Sequence, residues 1–350
     1  MLISLEKKIN ALYYPPGGTV PLPKIIMVEP TNACNLKCAM CYVQQHIEER
    51  HYLLLSDFQN IICKFPKIRE LIFCGIGEPL LNKDIFGMIN AAKEKGIGFI
   101  NLITNGKLLN EEVIHKIVGS GINRIQISLH SFDAKIFNEI RNEDAFKLEE
   151  LKLNIGRLVS LKKKTRSPLK VCCNAVISKF NFKNLLEFIK EAKRLEVDRV
   201  EFIQMTTASG NLKNVNAPLD SMRQSSQEAR RFARKLKIEL GFLSGNDYGR
   251  CYQLWDFIMI HSDGNISPCN GIFPTENIGA GNILAEPIEE IWNSPKYREL
   301  RRLVRAGELE YCRYCESGYC LGGRDLRWFK NYYIRPLRRF FRYFKSLKSD

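Results

Sequence analysis

Between residues 25 and 204 short apolar runs alternate with longer stretches in which apolar and charged residues fall at helical spacing. The runs Ile25–Val28, Glu70–Phe73, 98–103, 124–129, Lys170–Ile177 and Arg199–Gln204 are dominated by Ile, Val, Phe and Leu. That composition suits strands buried on both faces of a parallel sheet. Polar residues punctuate the helices between them. Ser56-Asp57-Phe58-Gln59 reads as a capping box. Lys83-Asp84 opens a helix that Lys95-Gly96 closes, with glycine at the expected C′ position. Asn110-Glu111-Glu112 starts another that ends near Gly119, and Asn181 begins one running through Lys190-Glu191-Ala192. Six strand–helix units in a row predict an α/β fold, a partial (β/α)6 TIM-like barrel, because parallel neighbours need crossover connections. Sites in such barrels lie at the C-terminal ends of the strands.

Beyond residue 205 the pattern changes. Residues 206–218 are polar and turn-rich, 227–240 are helical in pattern, and short strands, glycines and cysteines follow. The expected organisation is a leader over 1–23, a core barrel over 24–205, a linker and helix over 206–240, a small domain over 241–326 and a basic aromatic tail over 327–350.

Composition narrows the class. Hydrophobic residues at 45% and charged residues at 26% are those of an ordinary globular protein. No apolar run has the length needed to span a bilayer, and the N-terminus lacks a signal-peptide layout, so a cytoplasmic location is expected. Twelve cysteines in such a chain argue for metal ligands rather than disulfides. A net charge of +15, with a densely basic stretch at 327–350, can attract nucleic acid, anionic lipid or an acidic substrate.

The cysteines are patterned. Cys34, Cys38 and Cys41 stand at CxxxCxxC spacing just after the first predicted strand. Three thiolates suit a cubane iron–sulfur cluster with one iron left open. The alternative is a zinc knuckle or buried thiols, but zinc wants four N/S ligands and no fourth Cys or His stands at a fitting distance nearby. Cys74-Gly75-Ile76-Gly77-Glu78-Pro79 follows the second strand, and Thr104-Asn105-Gly106 ends the third. Ile127-Ser128-Leu129-His130-Ser131 ends the fourth, with Ile140-Arg141-Asn142 downstream.

Together these segments closely resemble the radical S-adenosylmethionine (SAM) superfamily over roughly residues 25–205. The resemblance implies a 4Fe–4S cluster on Cys34, Cys38 and Cys41, whose open iron is chelated by SAM. One electron then cleaves SAM to a 5′-deoxyadenosyl radical that abstracts a substrate hydrogen. It also implies SAM contacts at Met40, Gly75, Gly77, Glu78, Asn105, Ser128 and Arg141. Gly77 and Glu78 would hold the SAM amine, Ser128 its carboxylate or ribose, and Arg141 its carboxylate. Met40 would pack on adenine, where the family often has an aromatic. His130 stands where the family more often has Asp.

A second set comprises Cys251, then Gly264 and Cys269, then Cys312-Arg313-Tyr314-Cys315 and Cys320. It resembles the SPASM and Twitch extensions of radical SAM enzymes. The pattern stops short of the seven cysteines of full SPASM domains, which implies one auxiliary 4Fe–4S cluster on Cys251, Cys269, Cys312 and Cys315. A structural zinc site held by the same four thiolates is the alternative by ligand type. Cys320 is an extra ligand or a free thiol. Cys63, Cys74, Cys172 and Cys173 read as small buried hydrophobes.

The single-auxiliary-cluster pattern resembles the Twitch form of the radical SAM alcohol dehydrogenases of aminocyclitol antibiotic synthesis, and that resemblance implies oxidation of a sugar-like or cyclitol alcohol. Modification of a peptide, or of a lipid-linked substrate, is the alternative. Peptide-modifying relatives often carry a fused peptide-binding domain, for which the leader is too short, so a separate partner would supply it. An oxidation needs a base, with His130, Glu201 and Arg141 as candidates. Expected partners are a small-molecule or peptide substrate and a flavodoxin- or ferredoxin-type reductant. Aromatic residues and Leu at i, i+3, i+4, i+7 between Arg and Lys in the tail suggest peripheral contact with an anionic membrane, or a helix packed on the barrel. Nucleic acid is the least supported partner, since no RNA-binding module is recognisable.

Overall fold

The computed structural model describes residues 19–41, 49–142, 146–204, 219–243, 253–269, 280–306 and 308–309. The linker at 206–218, the ligand candidates Cys251, Cys312 and Cys315, Cys320, and the tail lie outside the described residues.

The strands are β1 (Ile25–Val28), β2 (Glu70–Phe73), β3 (Phe99–Thr104), β4 (Arg124–Ser128), β5 (Lys170–Ile177), β6 (Arg199–Gln204), β7 (Glu239–Leu243), β8 (Phe257–Ile260) and β9 (Ile266–Ser267). They form one sheet in the order β7-β6-β5-β4-β3-β2-β1-β8-β9. Every pairing is parallel except β8 with β9. The first six are the strands the sequence predicts, and the sheet stays open, as a partial barrel should. It is larger than expected: β7 extends one edge and β8–β9 the other.

Alternation along each strand separates two faces. Ile26, Val28, Leu71, Phe73, Ile100, Leu102, Ile125, Ile127, Val171 and Val200 are fully buried beneath the helices in one continuous core. Each such side chain contributes about 1.5–3 kcal/mol by leaving water. Met27, Ile72, Phe257 and Met259 point the other way and make a small second cluster, joined by Ile25, Cys74 and Ile103. Farther along that face the residues turn polar. The Asn101 amide donates to Gln126 (2.5 Å) and the Gln126 amide to Glu201 (2.5 Å). The inner face is therefore apolar over β8, β1 and β2 and hydrogen-bonded over β3, β4 and β6.

Several helix boundaries differ from expectation. The helix Leu55–Cys63 has Leu54 as N-cap with no side-chain cap, so Ser56 sits inside the first turn. Phe58, Ile61 and Ile62 fill its buried face, and Cys63 points outward and is exposed rather than buried. Cys172 and Cys173 are buried as predicted, and Cys74 is half-buried. The helix after β5 begins at Leu185, not Asn181. The buried Asn181 amide instead donates to the carbonyls of His130 and Val176, both at 2.9 Å. The helix expected at 227–240 runs Leu219–Leu236, and the chain reverses at Lys237 (φ 52°) into β7, which takes Leu240. Helices Ala134–Arg141 and Leu148–Lys164 connect β4 to β5. Among the described residues no helix is long and apolar enough to cross a membrane.

Candidate functional site

The three-cysteine loop leaves the C-terminal end of β1 and is pinned from several sides. Thr31 Oγ1 donates to the His51 carbonyl (2.6 Å) and accepts from Ala33 N–H (3.0 Å). Asn32 Oδ1 accepts from His51 N–H (2.7 Å). Ala39 N–H donates to the Ile140 carbonyl (2.8 Å), which docks the loop on the helix Ala134–Arg141. Cys34, Cys38 and Cys41 are half-buried.

The loop after β2 locks onto the cysteine loop. Glu78 N–H donates to the Ala33 carbonyl (2.8 Å). A Cβ at Gly77 would overlap the carbonyl oxygens of Thr31 and Ala33, and one at Gly75 would overlap the Glu29 side chain. The sequence suggests glycines that admit a ligand; the structure shows two glycines whose missing side chains are replaced by the protein's own neighbours. The Glu78 carboxylate is buried and accepts from Thr104 Oγ1 (2.7 Å), Asn105 N–H (2.7 Å) and Leu80 N–H (3.1 Å). Burial pushes its pKa up, against these donors and the Arg141 charge.

The ends of β3 and β4 complete the ring. The Asn105 amide donates to Asn35 Oδ1 (2.8 Å) and lies 3.7 Å from Cys34 Sγ. Arg141 is fully buried; Nη2 donates to the Asn105 carbonyl (2.9 Å) and to the Ser128 carbonyl, and the guanidinium lies 5.2 Å from the Phe137 ring. Its helix ends one residue later at Asn142, in the left-handed region at φ 49°, where Asn is among the few tolerated side chains. Met40 and Ser128 are half-buried. The structure thus brings Cys34, Cys38, Cys41, Gly77, Glu78, Asn105, Ser128 and Arg141 to one end of the sheet. Of the second set, Cys269 is described, half-buried just beyond β9 against the main core.

These residues fit a 4Fe–4S cluster. Among the described residues no three His, Cys, Asp or Glu side chains converge on a position for a single ion. A four-iron cube, by contrast, takes each thiolate on a different iron, whereas zinc needs four closely gathered ligands. The thiols still sense one another. Burial pushes Cys38 up to about 11, Arg141 pulls it down, and negative charge on Cys41 or Cys34 pushes it up. Among the described residues Nε and Nη1 of Arg141 meet no nitrogen or oxygen partner, and its charge bears on Cys38, so a buried cation stands beside that thiol, as an anionic cluster requires.

The base candidates fare differently. His130 takes φ 68° and is buried, and its Nδ1 accepts from Val176 N–H at 3.3 Å. Burial, then the Arg141 charge, keep the ring neutral, so its proton sits on Nε2. Glu201 accepts from Gln126 and lies 3.5 Å from Arg199. Arg141 is enclosed by carbonyls and aromatic rings and keeps its proton. Sequence reasoning missed two residues here. Thr104 stands in the segment Thr104-Asn105-Gly106 that ends the third strand, where the sequence assigns it no role of its own. Glu29, at the end of β1, assembles a network of its own, and its only signal was a carboxylate following an apolar run.

A family model for the Radical SAM superfamily matches residues 28–208, and one for an iron–sulfur cluster-binding domain (SPASM) matches 251–316. A probable GTP 3′,8-cyclase of Sulfolobus acidocaldarius is 32% identical over 178 residues, which cover 50% of this chain and 54% of that relative. The chain thus spans about half the length of that relative. The PqqA peptide cyclase of Rhodopseudomonas palustris is 26% identical over 297 residues, covering 79% of this chain and 75% of that one. Among solved structures, Streptococcus suis SuiB bound to the precursor peptide SuiA superimposes with a TM-score of 0.70 at 17% identity, covering 85% of this chain and 71% of that chain. Because the first match takes in more than half of the 350 residues, from the last residue of β1 past the end of β6, the chain belongs to the radical SAM superfamily, with a SPASM-type domain and with 4Fe–4S clusters and SAM as its cofactors.

Proposed function

We propose that this enzyme modifies a peptide, through Cys34, Cys38 and Cys41 on the SAM-binding cluster and Cys251, Cys269, Cys312 and Cys315 on an auxiliary one. The observation that carries the substrate class is the similarity to the PqqA peptide cyclase at 26% identity, above the 23% of a Pyrococcus furiosus cofactor-modifying protein that matches 81% of the chain. The similarity to the PqqA cyclase runs through 79% of the chain, where the similarity to the GTP cyclase covers 50%.

In this reading the cluster and SAM, once bound, supply a one-electron reduction and the means to abstract a hydrogen atom. The chain's residues do the rest. Gly77, with no room for a side chain, holds the loop after β2 against the cysteine loop and leaves backbone carbonyls for the SAM amine. Glu78 fixes the Thr104–Asn105 turn, and Gly75 makes room for Glu29. Asn105 and Arg141 flank the thiols, Arg141 with a buried positive charge. Ser128 and Met40 border the same end of the sheet, where a ribose or carboxylate and an adenine ring would sit. Residues 24–205 would then be the cofactor-binding core and 241–326 the auxiliary domain. A flavodoxin- or ferredoxin-type reductant would supply the electron.

The test offers anaerobically reconstituted protein, SAM and dithionite a library of peptides in one reaction and a panel of monosaccharides and aminocyclitols in another. Both are read by mass spectrometry. A peptide that changes mass while 5′-deoxyadenosine accumulates supports the reading. A polyol that loses two hydrogens, with no peptide altered, would reinstate the oxidation that the resemblance to Twitch enzymes implies.

A further inference from the structure

Glu29 is buried and stands where three parts of the molecule meet. Its Oε2 accepts from Ile76 N–H (2.7 Å), inside the loop that carries Gly75, Gly77 and Glu78. Its Oε1 accepts from Ser262 N–H (3.3 Å) and Ser262 Oγ (3.1 Å), just beyond β8. Nδ1 of His261 lies 3.6 Å from the same oxygen, a close contact too long for a hydrogen bond. On its far side His261 Nε2 is 2.7 Å from Ser267 Oγ, in β9, two residues before Cys269. Ser262, His261 and Ser267 are themselves buried.

The fit is close on the SAM side as well, since any side chain at Gly75 would overlap Glu29. Burial by itself would push the Glu29 pKa up. His261 and the N–H groups of Ile76 and Ser262 outweigh it and hold the carboxyl below its usual range. A buried charge of this kind adds little to stability compared with apolar packing, but it fixes geometry, because removing one partner strands the other.

We infer that Glu29 is a positioning residue that couples the two cofactor sites: through His261 and Ser267 it ties the loop after β2 to the strand leading to Cys269. The affinity for SAM then depends on side chains of the C-terminal domain. By reciprocity SAM must also steady β9, because a coupling free energy acts equally in both directions. The inference rests on the family assignment and not on the peptide substrate, so either can fail alone.

The experiment measures SAM dissociation constants for reconstituted full-length wild type, Glu29→Gln, His261→Gln, Ser267→Ala and the Glu29→Gln/His261→Gln double variant, together with hydrogen exchange at β9 with and without SAM. Couplings between sites are typically about 5- to 150-fold. His261→Gln should weaken SAM binding by at least about fivefold, and the double variant should bind no more weakly than Glu29→Gln. SAM should slow exchange at Ile266 and Ser267 in wild type but not in Glu29→Gln. Ser267→Ala, the mildest change and one that keeps every contact of Glu29, should weaken SAM binding in the same direction. The inference is overturned if His261→Gln and Ser267→Ala bind SAM within twofold of wild type and only melt earlier. That pattern would make Glu29–His261 an ordinary packing contact of the fold. Independent, additive losses from Glu29→Gln and His261→Gln would overturn it too.

Discussion

Thr104→Val isolates one hydrogen-bonded corner of the site without changing its shape. The side chain is buried at the end of β3, where valine is a favourable strand residue of the same outline, so no cavity opens. Two interactions go. Glu78 loses the Thr104 hydroxyl as a donor (2.7 Å), and Gly106 N–H loses the acceptor it finds on Thr104 Oγ1 (3.0 Å). A bond to a charged carboxylate contributes about 1.5–3 kcal/mol, and an unmatched buried N–H costs about 1–3 kcal/mol. A loss of about 3–4 kcal/mol is therefore expected at pH 7.5.

The sign of its pH dependence follows from Glu78, whose pKa burial raises. In the folded protein this carboxyl holds its proton over a range where the unfolded chain, near 4.5, has released it. Its contribution to stability is therefore full below about 4.5 and declines as pH rises through the folded value. Removing a donor raises the folded value further, so the variant loses more over that range than wild type does. Urea unfolding of the iron-free protein, followed by far-UV circular dichroism, should give a larger difference at pH 7.5 than at pH 4.5. Near pH 4.5 the unmatched Gly106 N–H, at about 1–3 kcal/mol, dominates. An equal difference at both pH values, or none, would refute the view that Thr104 steadies the Glu78 carboxylate.

Three further outcomes are expected. Changing Cys34, Cys38 and Cys41 together to Ala should lower bound iron after anaerobic reconstitution from about eight to about four per chain; an unchanged iron content would remove these residues from the cluster. Gly77→Ala should fold its helices but fail to hold that cluster, because its Cβ meets backbone of residues 31–33 rather than a flexible side chain; iron analysis and circular dichroism on one sample would separate the two effects. Tyr297→Phe should stabilise the iron-free protein by about 1 kcal/mol, since it deletes a buried hydroxyl that has no hydrogen-bond partner among the described residues; a lower urea midpoint would show that the hydroxyl is satisfied in solution.

The first six strands were legible because a parallel sheet buried on both faces writes itself as continuous apolar runs, and Ile25–Val28 and Glu70–Phe73 begin and end where the runs do. The thiol loop and the two glycines were legible because cluster ligation and close backbone approach each demand particular residues at fixed spacing. Helix starts were harder. Asn110 caps its helix as read, accepting from Val113 N–H (2.9 Å), while Asn181 spends an equally good capping amide on the carbonyls of His130 and Val176. Local sequence cannot show which use prevails, because the competing partners lie about 50 and 5 residues away. The same limit hid β7 and the place of β8 in the sheet, because their pairing with β6 and β1 is a long-range choice.

The chemistry this chain can host was therefore set by its sequence, in the identity and spacing of Cys34, Cys38, Cys41 and the segment Gly75–Gly77–Glu78. Tertiary structure decided how those residues are held. It filled the space above Gly75 with Glu29, bonded Glu78 to Thr104 and Asn105, and set Arg141 beside Cys38. Ligand identity is a property of single side chains and survives in one dimension. Hydrogen-bond partners and buried charge depend on which distant strands become neighbours, and that is fixed when the sheet assembles.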